Sequence, residues 1–337
     1  MYQKFRRGAA ALSALLLLCL PACSREEAPA SSSGMVFTSS AASSSTAAST
    51  QPTQTPIQTA SPTEAPTDRP TKKTTAATTT IAPTTAVPTT AEDHVVTVTI
   101  PEGKTMVEIF RLLEQKGVAS YSDLMKAAQT YDFTQNTEFD YSLLKAQADN
   151  GRCYKLEGYL FPSTYEFYKK GYGRTEDAIG KLLRTSEQRF TKEMRAKGEA
   201  LGFTPDEILT IASLIQAEGA KASEMANISA VIHNRLKAGM KLELDATKNY
   251  VENDIDGNKE PYRALYNTYK CAALPAGPIG NPGTAAINAA LNPADVDYLF
   301  FCTSHEDPPK YYYATTYEEH KENLKKAGLV AEEESAS

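Results

Sequence analysis

The sequence has no tryptophan, five cysteines and four histidines among 337 residues. No two cysteines form a CxxC pair and no two histidines stand at His-x-x-x-His spacing, so neither a zinc site nor any other metal or cofactor site is predicted. After residue 23 only three cysteines remain: Cys153, Cys271 and Cys302. They allow at most one disulfide, and a buried free thiol is an equal alternative for each.

The chain also lacks an excess of basic residues, because its net charge is −6. Proteins that bind nucleic acid or anionic lipid through their surface charge need a basic patch or stripe. The acidic balance therefore predicts no nucleic-acid partner.

The first 23 residues have the organisation of an export signal. Three basic residues precede an apolar run from Gly8 to Leu20, which is too short to span a bilayer as a stable anchor. The run ends in Leu-Pro-Ala-Cys, which resembles a bacterial lipobox with an unusual proline and makes Cys23 the predicted lipidation site. An ordinary cleaved signal and a short membrane anchor are the alternatives, and all three place the rest of the chain outside the cytoplasm.

Two segments are predicted to be disordered. Residues 24–93 consist mainly of Ser, Thr, Ala and Pro, and so little apolar surface cannot offset the entropy of ordering the chain. This linker would let a membrane-anchored domain work at a distance from the membrane. The acidic residues 331–337 form a second disordered segment, a short tail.

The remaining residues predict an α+β fold, because helices and short strands come in runs without a repeated βαβ pattern. Residues 94–100 are β-branched and predict a strand, and a Pro-Glu-Gly turn separates them from a helix that ends at Gly117. A second helix is expected over 121–130. Near the other end, "DYLFFCTS" and "KYYYATT" predict a hairpin, followed by a helix capped by Thr316 with Glu319.

One helix carries a carboxylate where an apolar residue is expected. Thr204-Pro205-Asp206-Glu207 marks the helix start, and Ile208, Ile211 and Ile215 form a stripe whose next member is Glu218. Gln216 points away from this stripe. Because burial and the negative end of the helix dipole both disfavour the ionised form, the pKa of Glu218 should rise above its usual value of about 4.3.

A raised pKa suits a general acid. The alternative is a structural carboxylate neutralised by Arg235, and the helix alone does not decide between them. Residues 222–239 predict a second helix, which places Glu218 at the bend of a helical hairpin. A loop after it offers Asp245, Thr247 and Tyr250. The proline-rich loop from Tyr266 to Pro293 suits sugar recognition, and it equally suits a plain surface turn.

Several segments together resemble the YceG-like family of endolytic murein transglycosylases, the MltG type. They are "VTIPEGKTMVEIFRLLEQKGV", "LEGYLFPSTYEF", "IASLIQAEGAKASEMANISAVIHNRLKAGMKLELDAT", "YNTY", "LPAGPIGNPGTAAINAALNP" and "DYLFFCTS". The resemblance implies a small LysM-like module over 94–150 and a mixed α+β catalytic domain over 151–330.

The resemblance also implies roles for single residues. The family's catalytic glutamate corresponds to Glu218. Its cleft-lining positions correspond to Asn234, Asp245, Thr247, Tyr266, Asn267, Thr268, Tyr269, Pro278, Ile279 and Asn281. The chain departs from the family at Gln216, where Glu is frequent, at Gly219, where a hydroxyl residue is frequent, and in its lipobox, where the family has a transmembrane helix.

The chemistry implied is cleavage of the β-1,4 bond between MurNAc and GlcNAc within a peptidoglycan glycan strand, leaving a 1,6-anhydro end. The expected partners are glycan strands, the membrane through the lipid anchor, and proteins of wall synthesis as further candidates. A non-catalytic peptidoglycan-binding lipoprotein is the first alternative. A solute-binding lipoprotein is the second, and the missing βαβ pattern argues against it.

Overall fold

The computed structural model describes residues 94–219, 221–270 and 273–330. The predicted signal segment with Cys23, the linker, Cys271 and the acidic tail lie outside these residues. Predictions about them stay predictions.

The described chain begins with a strand and two helices, at the positions expected from the sequence. These are β1 (Val95–Thr99), α1 (Met106–Gln115) and α2 (Tyr121–Thr130). Helix α1 starts at a capping box, in which the Thr105 hydroxyl accepts from the Glu108 backbone and the Glu108 carboxylate accepts from the Thr105 backbone. Its apolar face, with Ile109 and Phe110, is fully buried.

Strand β1 pairs with a strand that comes much later in the sequence. A short 3₁₀ turn (Phe133–Gln135) and α3 (Ser142–Lys145) precede β2 (Thr164–Tyr168), which runs antiparallel to β1 with Val98 opposite Tyr165. Both residues of this pair are buried, while Thr99 and Thr164 are exposed. The alternation puts one face of the two-stranded sheet on the core.

A helical region follows and contains the apolar helix singled out in the sequence. Its elements are α4 (Thr175–Arg189), α5 (Lys192–Ala200), α6 (Pro205–Ala217), α7 (Met225–Lys237), α8 (Asp245–Asp254), α9 (Glu260–Tyr266) and α10 (Thr284–Leu291). Helix α6 packs against α5, α7, α8 and α10. Ile208, Ile211 and Ile215 are completely buried, as their spacing predicts.

The segment after α7 was expected to be a loop, and this expectation is wrong. Asp245 is the first residue of α8, and Thr247, Tyr250 and Val251 form the buried side of this helix. Their spacing is helical, but the stretch is short and polar around them, so its periodicity is weak in the sequence. Helix α9, which begins next to Pro261, was not predicted either.

The last elements match the sequence prediction. Strands β3 (Phe300–Thr303) and β4 (Tyr311–Ala314) form an antiparallel hairpin, with Phe300 opposite Ala314. Helix α11 (Tyr317–Lys326) begins at the predicted capping box of Thr316 and Glu319. Two small sheets and many helices make the fold α+β, as expected.

Two of the three later cysteines lie within the described residues, and both are free thiols. Cys153 is half-buried and Cys302 is buried. Burial raises the pKa of each thiol above its usual value, which keeps both protonated and unreactive at neutral pH.

Residues 94–219, 221–270 and 273–330 contain neither a membrane-spanning helix nor a metal-binding cluster. None of the helices in these ranges has the length and apolar character needed to cross a bilayer. In the same ranges, no group of three or more His, Cys, Asp or Glu side chains is arranged to hold a metal ion.

Candidate active site

Glu218 is the C-cap residue of α6 and directly follows Ala217, the last residue of the helix. Its backbone N–H donates to the carbonyl groups of Leu214 and Gln216, and Gly219 follows with a φ of 62°. A positive φ is readily adopted by glycine and stops the helix. The carboxylate therefore lies at the C-terminal end of an apolar helix, as the sequence predicts.

The environment of Glu218 makes it a weaker acid than an ordinary glutamate. Its pKa rises from 4.5 to about 7, chiefly because burial penalises the charged form and secondly because the Asp245 carboxylate lies near it. The residue as a whole keeps some exposure to solvent. A carboxyl group with this pKa can both give and accept a proton near neutral pH.

Arg235 does not neutralise Glu218, so the structural ion-pair interpretation is wrong. Its guanidinium is 3.0 Å from the Glu243 carboxylate and donates to the carbonyl of Leu299 at 2.5 Å. It also lies over the ring of Phe300, 5.0 Å from the centroid. Within the described part of the chain, no ion pair involves Glu218.

Asp245, the first residue of α8, is held by two neighbours. The Tyr269 hydroxyl donates to its carboxylate at 3.0 Å, and the Lys248 ammonium is 2.8 Å from the same oxygen. The Lys248 ammonium also lies 4.1 Å from the centroid of the Tyr269 ring. Burial, and then the Asp245 charge, raise the pKa of Tyr269, so its hydroxyl keeps its proton and donates.

Three of the predicted cleft residues lie near Glu218. They are Asp245 and Tyr269, which are joined by the hydrogen bond above, and Asn267, which contacts Tyr269. The Asn267 side-chain oxygen accepts from the Tyr269 backbone N–H at 3.0 Å. This bond closes a tight turn that presents the Tyr269 ring toward Asp245. Tyr269 is the exposed aromatic residue of the group.

Two threonines fix the start of α8 against this turn. Thr247 and Thr268 are both fully buried, and their hydroxyl oxygens are 3.1 Å apart. The Leu244 backbone N–H donates to the Thr268 hydroxyl at 3.0 Å. Because neither side chain reaches solvent, the structure places them behind Asp245 and Tyr269 as supports.

Tyr266 and Asn234 also lie in packed surroundings. Tyr266 is 1 % exposed and its ring centroid is 5.2 Å from that of Tyr250. The Asn234 amide donates to the carbonyl groups of Val296 and Tyr298 at 2.9 and 3.0 Å. Asn234 thereby ties α7 to the segment that leads into β3.

The remaining candidates belong to the loop before α10, which is tied to α6 and to the chain before α1. The Ile279 backbone N–H donates to the Ser213 hydroxyl at 3.1 Å. Pro278 packs over Gly158, where a β-carbon would lie 2.4 Å from the proline ring. Asn281 is fully buried, and its amide donates to the Lys104 carbonyl at 2.9 Å.

Gln216 has a structural role that its position off the apolar stripe does not predict. Its side-chain oxygen accepts from the backbone N–H of Gly283 at 3.1 Å. A β-carbon on Gly103 would lie 3.3 Å from its side chain. Gln216 therefore joins the end of α6 to the start of α10, a long-range contact that the helical stripe could not indicate.

Glu157 is a second buried acid, which the sequence showed only as a lone carboxylate in an aromatic segment. It is 1 % exposed and accepts from the Met106 backbone at 2.9 Å, the Asn281 amide at 3.0 Å and the Tyr250 hydroxyl at 3.2 Å. Burial raises its pKa to about 8, against the opposing effect of these donors. Because Glu157 is buried and its hydrogen-bond partners all lie inside the core, it holds the structure together and is not accessible to a substrate.

A family profile covers most of the chain. The YceG-like family matches residues 72–326. The crystal structure of a putative YceG-like protein from Listeria monocytogenes superposes with a TM-score of 0.57 at 26 % identity, covering 67 % of this chain and 75 % of that one.

Two curated relatives are named endolytic murein transglycosylase. The protein from Streptococcus pneumoniae serotype 2 (strain D39 / NCTC 7466) is 29 % identical over 245 residues, which are 68 % of this chain and 44 % of the relative. The protein from Bacillus subtilis (strain 168) is 30 % identical over 213 residues, which are 60 % of this chain and 58 % of the relative. The chain thus spans about half the length of these relatives.

Proposed function

Because this chain belongs to the YceG-like family, we propose that it is an endolytic murein transglycosylase, a lyase that cleaves the MurNAc-β-1,4-GlcNAc bond within glycan strands. The curated relatives that carry this name support the proposal. The observation that carries it is Glu218, whose pKa of about 7 at the end of α6 is that of a group able to serve as acid and then as base.

The proposed reaction uses one carboxyl group twice. Glu218 is protonated in the resting state and gives its proton to the oxygen of the leaving GlcNAc. As a carboxylate it then takes the proton of the MurNAc C6 hydroxyl while that oxygen bonds to C1, which closes the 1,6-anhydro ring. No water is consumed, in contrast to glycoside hydrolases that use two carboxylates and a water molecule.

The other site residues divide into three proposed groups. Asp245 and Tyr269 contact the sugar chain, since an aromatic face stacks on a sugar ring and a carboxylate accepts from its hydroxyl groups. The buried members Thr247, Thr268 and Asn281 act by holding the walls of the cleft. Asn234, Tyr266, Asn267, Pro278 and Ile279 complete the proposed cleft as its frame.

We further propose the LysM-like module of residues 94–150 as an additional contact with glycan. Its order of strand, helix and helix supports this. The enzyme would act outside the cytoplasm, held to the membrane by a lipid on Cys23 and close to the proteins of wall synthesis.

The test of the function is product analysis. The purified chain is incubated with isolated glycan strands, and the masses of the fragments are measured by mass spectrometry. We expect internal cleavage and anhydro ends, and Glu218→Gln should lower the rate at least about 10²-fold because the amide cannot transfer the proton. Glu138→Gln, the same change at an exposed glutamate, is the control.

The result also separates the enzyme from a non-catalytic peptidoglycan-binding lipoprotein. That alternative predicts binding of strands without any anhydro ends, and no effect of Glu218→Gln.

To test the lipid anchor, cells are labelled with radioactive palmitate. Label should enter the wild-type chain and be absent from Cys23→Ala, and an unlabelled wild type would rule out the lipid anchor.

A further inference from the structure

A groove of about 380 Å³ lies next to the Glu218 site and shares Thr247, Tyr266 and Asn267 with the proposed frame of the cleft. It is bounded by the side of α8 that carries Lys248 and Val251, by α9, and by the turn from Asn267 to Lys270. This feature is called the α8–α9 groove below.

The α8–α9 groove is continuous with the active-site corner. Lys248 lines it and also pairs with Asp245 at 2.8 Å, the residue whose charge raises the pKa of Glu218. From Asp245 to Glu252, which lines the groove further along α8, the helix advances about 10 Å at 1.5 Å per residue. That length matches three residues of extended peptide, at about 3.3 Å each.

Within the described chain, some charged side chains of the groove form ion pairs and one does not. Arg263 is 2.8 Å from Glu252 and 2.7 Å from Glu260, so its charge is taken up by two carboxylates and these three side chains keep a net charge of −1. Lys270 is exposed, and among the described residues its ammonium has no ion-pair partner. Lys270, which directly follows Tyr269 beside the active-site corner, is therefore a cation without an ion-pair partner among the described residues.

The groove offers little to a sugar. Its one aromatic lining residue, Tyr266, is 1 % exposed and packs against Tyr250, so no ring face is open for stacking. A neutral saccharide could accept hydrogen bonds from the Lys270 ammonium but could not form an ion pair with it. A carboxylate could form both, and a charge-assisted hydrogen bond is the stronger contact.

We propose that the α8–α9 groove binds the stem peptide attached to the MurNAc residue next to the scissile bond, with a peptide carboxylate on Lys270. This inference rests on the proposed function, because it assumes that murein is the substrate. The chain should then prefer glycan strands that keep their peptides to strands from which an amidase has removed the peptides.

The first test measures KM for the full chain on peptide-bearing and on amidase-stripped glycan strands, from the rate of anhydro-end formation. We expect a KM about fivefold lower on the peptide-bearing strands, and Lys270→Glu should bring the ratio of the two values to about one. Lys325→Glu, the same change at an exposed lysine of α11, should keep the wild-type ratio. Equal KM values for the wild type, or an unchanged ratio in Lys270→Glu, would overturn the proposal.

A second test does not need turnover. Binding of N-acetylmuramoyl-L-alanyl-γ-D-glutamyl-L-lysine to the Glu218→Gln chain is measured by calorimetry, with N-acetylmuramic acid as the peptide-free probe. Tighter binding of the peptide, lost in the double variant with Lys270→Glu, supports the groove. Equal binding of both probes overturns it. A chain that makes no anhydro ends and still binds the peptide probe more tightly would refute the proposed function and leave peptide binding in the groove supported.

Discussion

The hydroxyl of Tyr269 donates a hydrogen bond of 3.0 Å to the carboxylate of Asp245. That carboxylate is the charge which, after burial, raises the pKa of Glu218. The strength of the proposed acid therefore depends on a residue of α8 that is itself held by an aromatic side chain from another segment. This arrangement can be tested by changing the charge without changing the shape.

Asp245→Asn removes the negative charge near Glu218, so the pKa of Glu218 should fall. The proposed acid must be protonated to start the reaction, and the rate should therefore decline at lower pH than in the wild type. The shift should be smaller than the whole rise from 4.5 to about 7, because burial is the larger cause. The measurement is kcat/KM from pH 5 to 9.

Tyr269→Phe is the matched control for that experiment. It removes the hydrogen bond to Asp245 and leaves the carboxylate charge in place. The pH at which kcat/KM declines, the high-pH limb of the profile, should therefore move less than in Asp245→Asn. A limb that moves to higher pH in Asp245→Asn would contradict the assigned coupling between Asp245 and Glu218.

Glu218→Gln should change how stability depends on pH. The folded chain holds the Glu218 proton up to a pKa of about 7, whereas an unfolded chain releases it near 4.5. Between these values the folded state binds more protons, so the free energy of unfolding of the wild type falls as pH rises. The variant has no such proton and should gain stability relative to the wild type, by at most about 3 kcal/mol at pH 8.

Urea unfolding of both chains at pH 4 and pH 8 measures this effect. Glu157 titrates in both chains, so its contribution cancels in the difference. A difference between the two chains that is the same at pH 4 and pH 8 would show that the pKa of Glu218 is not raised by folding.

Glu157→Ala should destabilise the fold strongly. The change leaves the Met106 backbone N–H without an acceptor inside the core and removes one of the two acceptors of the Asn281 amide. The expected loss in free energy of unfolding is about 2–5 kcal/mol. Glu138→Ala, at an exposed glutamate, should stay within about 0.5 kcal/mol of the wild type. Similar urea midpoints for the two variants would contradict the central role of Glu157.

Gly158→Ala should harm both stability and activity. Gly158 has a φ of 88°, and a β-carbon there would lie 2.4 Å from Pro278, so the loop that carries Ile279 and Asn281 must move. Gly202→Ala is a close control, since its φ is also 88° and nothing lies within 4 Å of a β-carbon. The control should cost about 1 kcal/mol from backbone strain alone, without loss of kcat. Equal effects of the two variants would contradict the tight packing at Pro278.

Local patterns account for the parts of the fold that the sequence predicted. The capping boxes at Thr204 and Thr316 fixed the starts of α6 and α11, and the apolar stripe placed Glu218 correctly at the end of α6. Alternation and an interrupting turn were enough for the β3–β4 hairpin. Each of these signals lies within a few residues, where backbone hydrogen bonds and side-chain spacing act directly.

The contacts that define the site are between distant segments and could not be predicted in this way. Nothing in the spacing shows that Asp245 lies near Glu218, or that Arg235 pairs with Glu243 instead. The hydrogen bond from Gly283 to Gln216 joins residues that are 67 positions apart. Helix α8 was missed because its buried residues are few and its polar positions resemble a loop.

The hydrogen bonds of Asn281 and Glu157 bear on how the chain can be divided. Asn281 exchanges bonds with Gly103 and Lys104, and Glu157 accepts from Met106 at the first turn of α1. A chain cut after residue 150 would therefore leave these buried groups without partners in the fragment that carries Glu218, and β2 without β1. The segment before residue 150 therefore shares one core with the helix that carries Glu218, and a fragment that keeps these contacts has to begin at or before Val95.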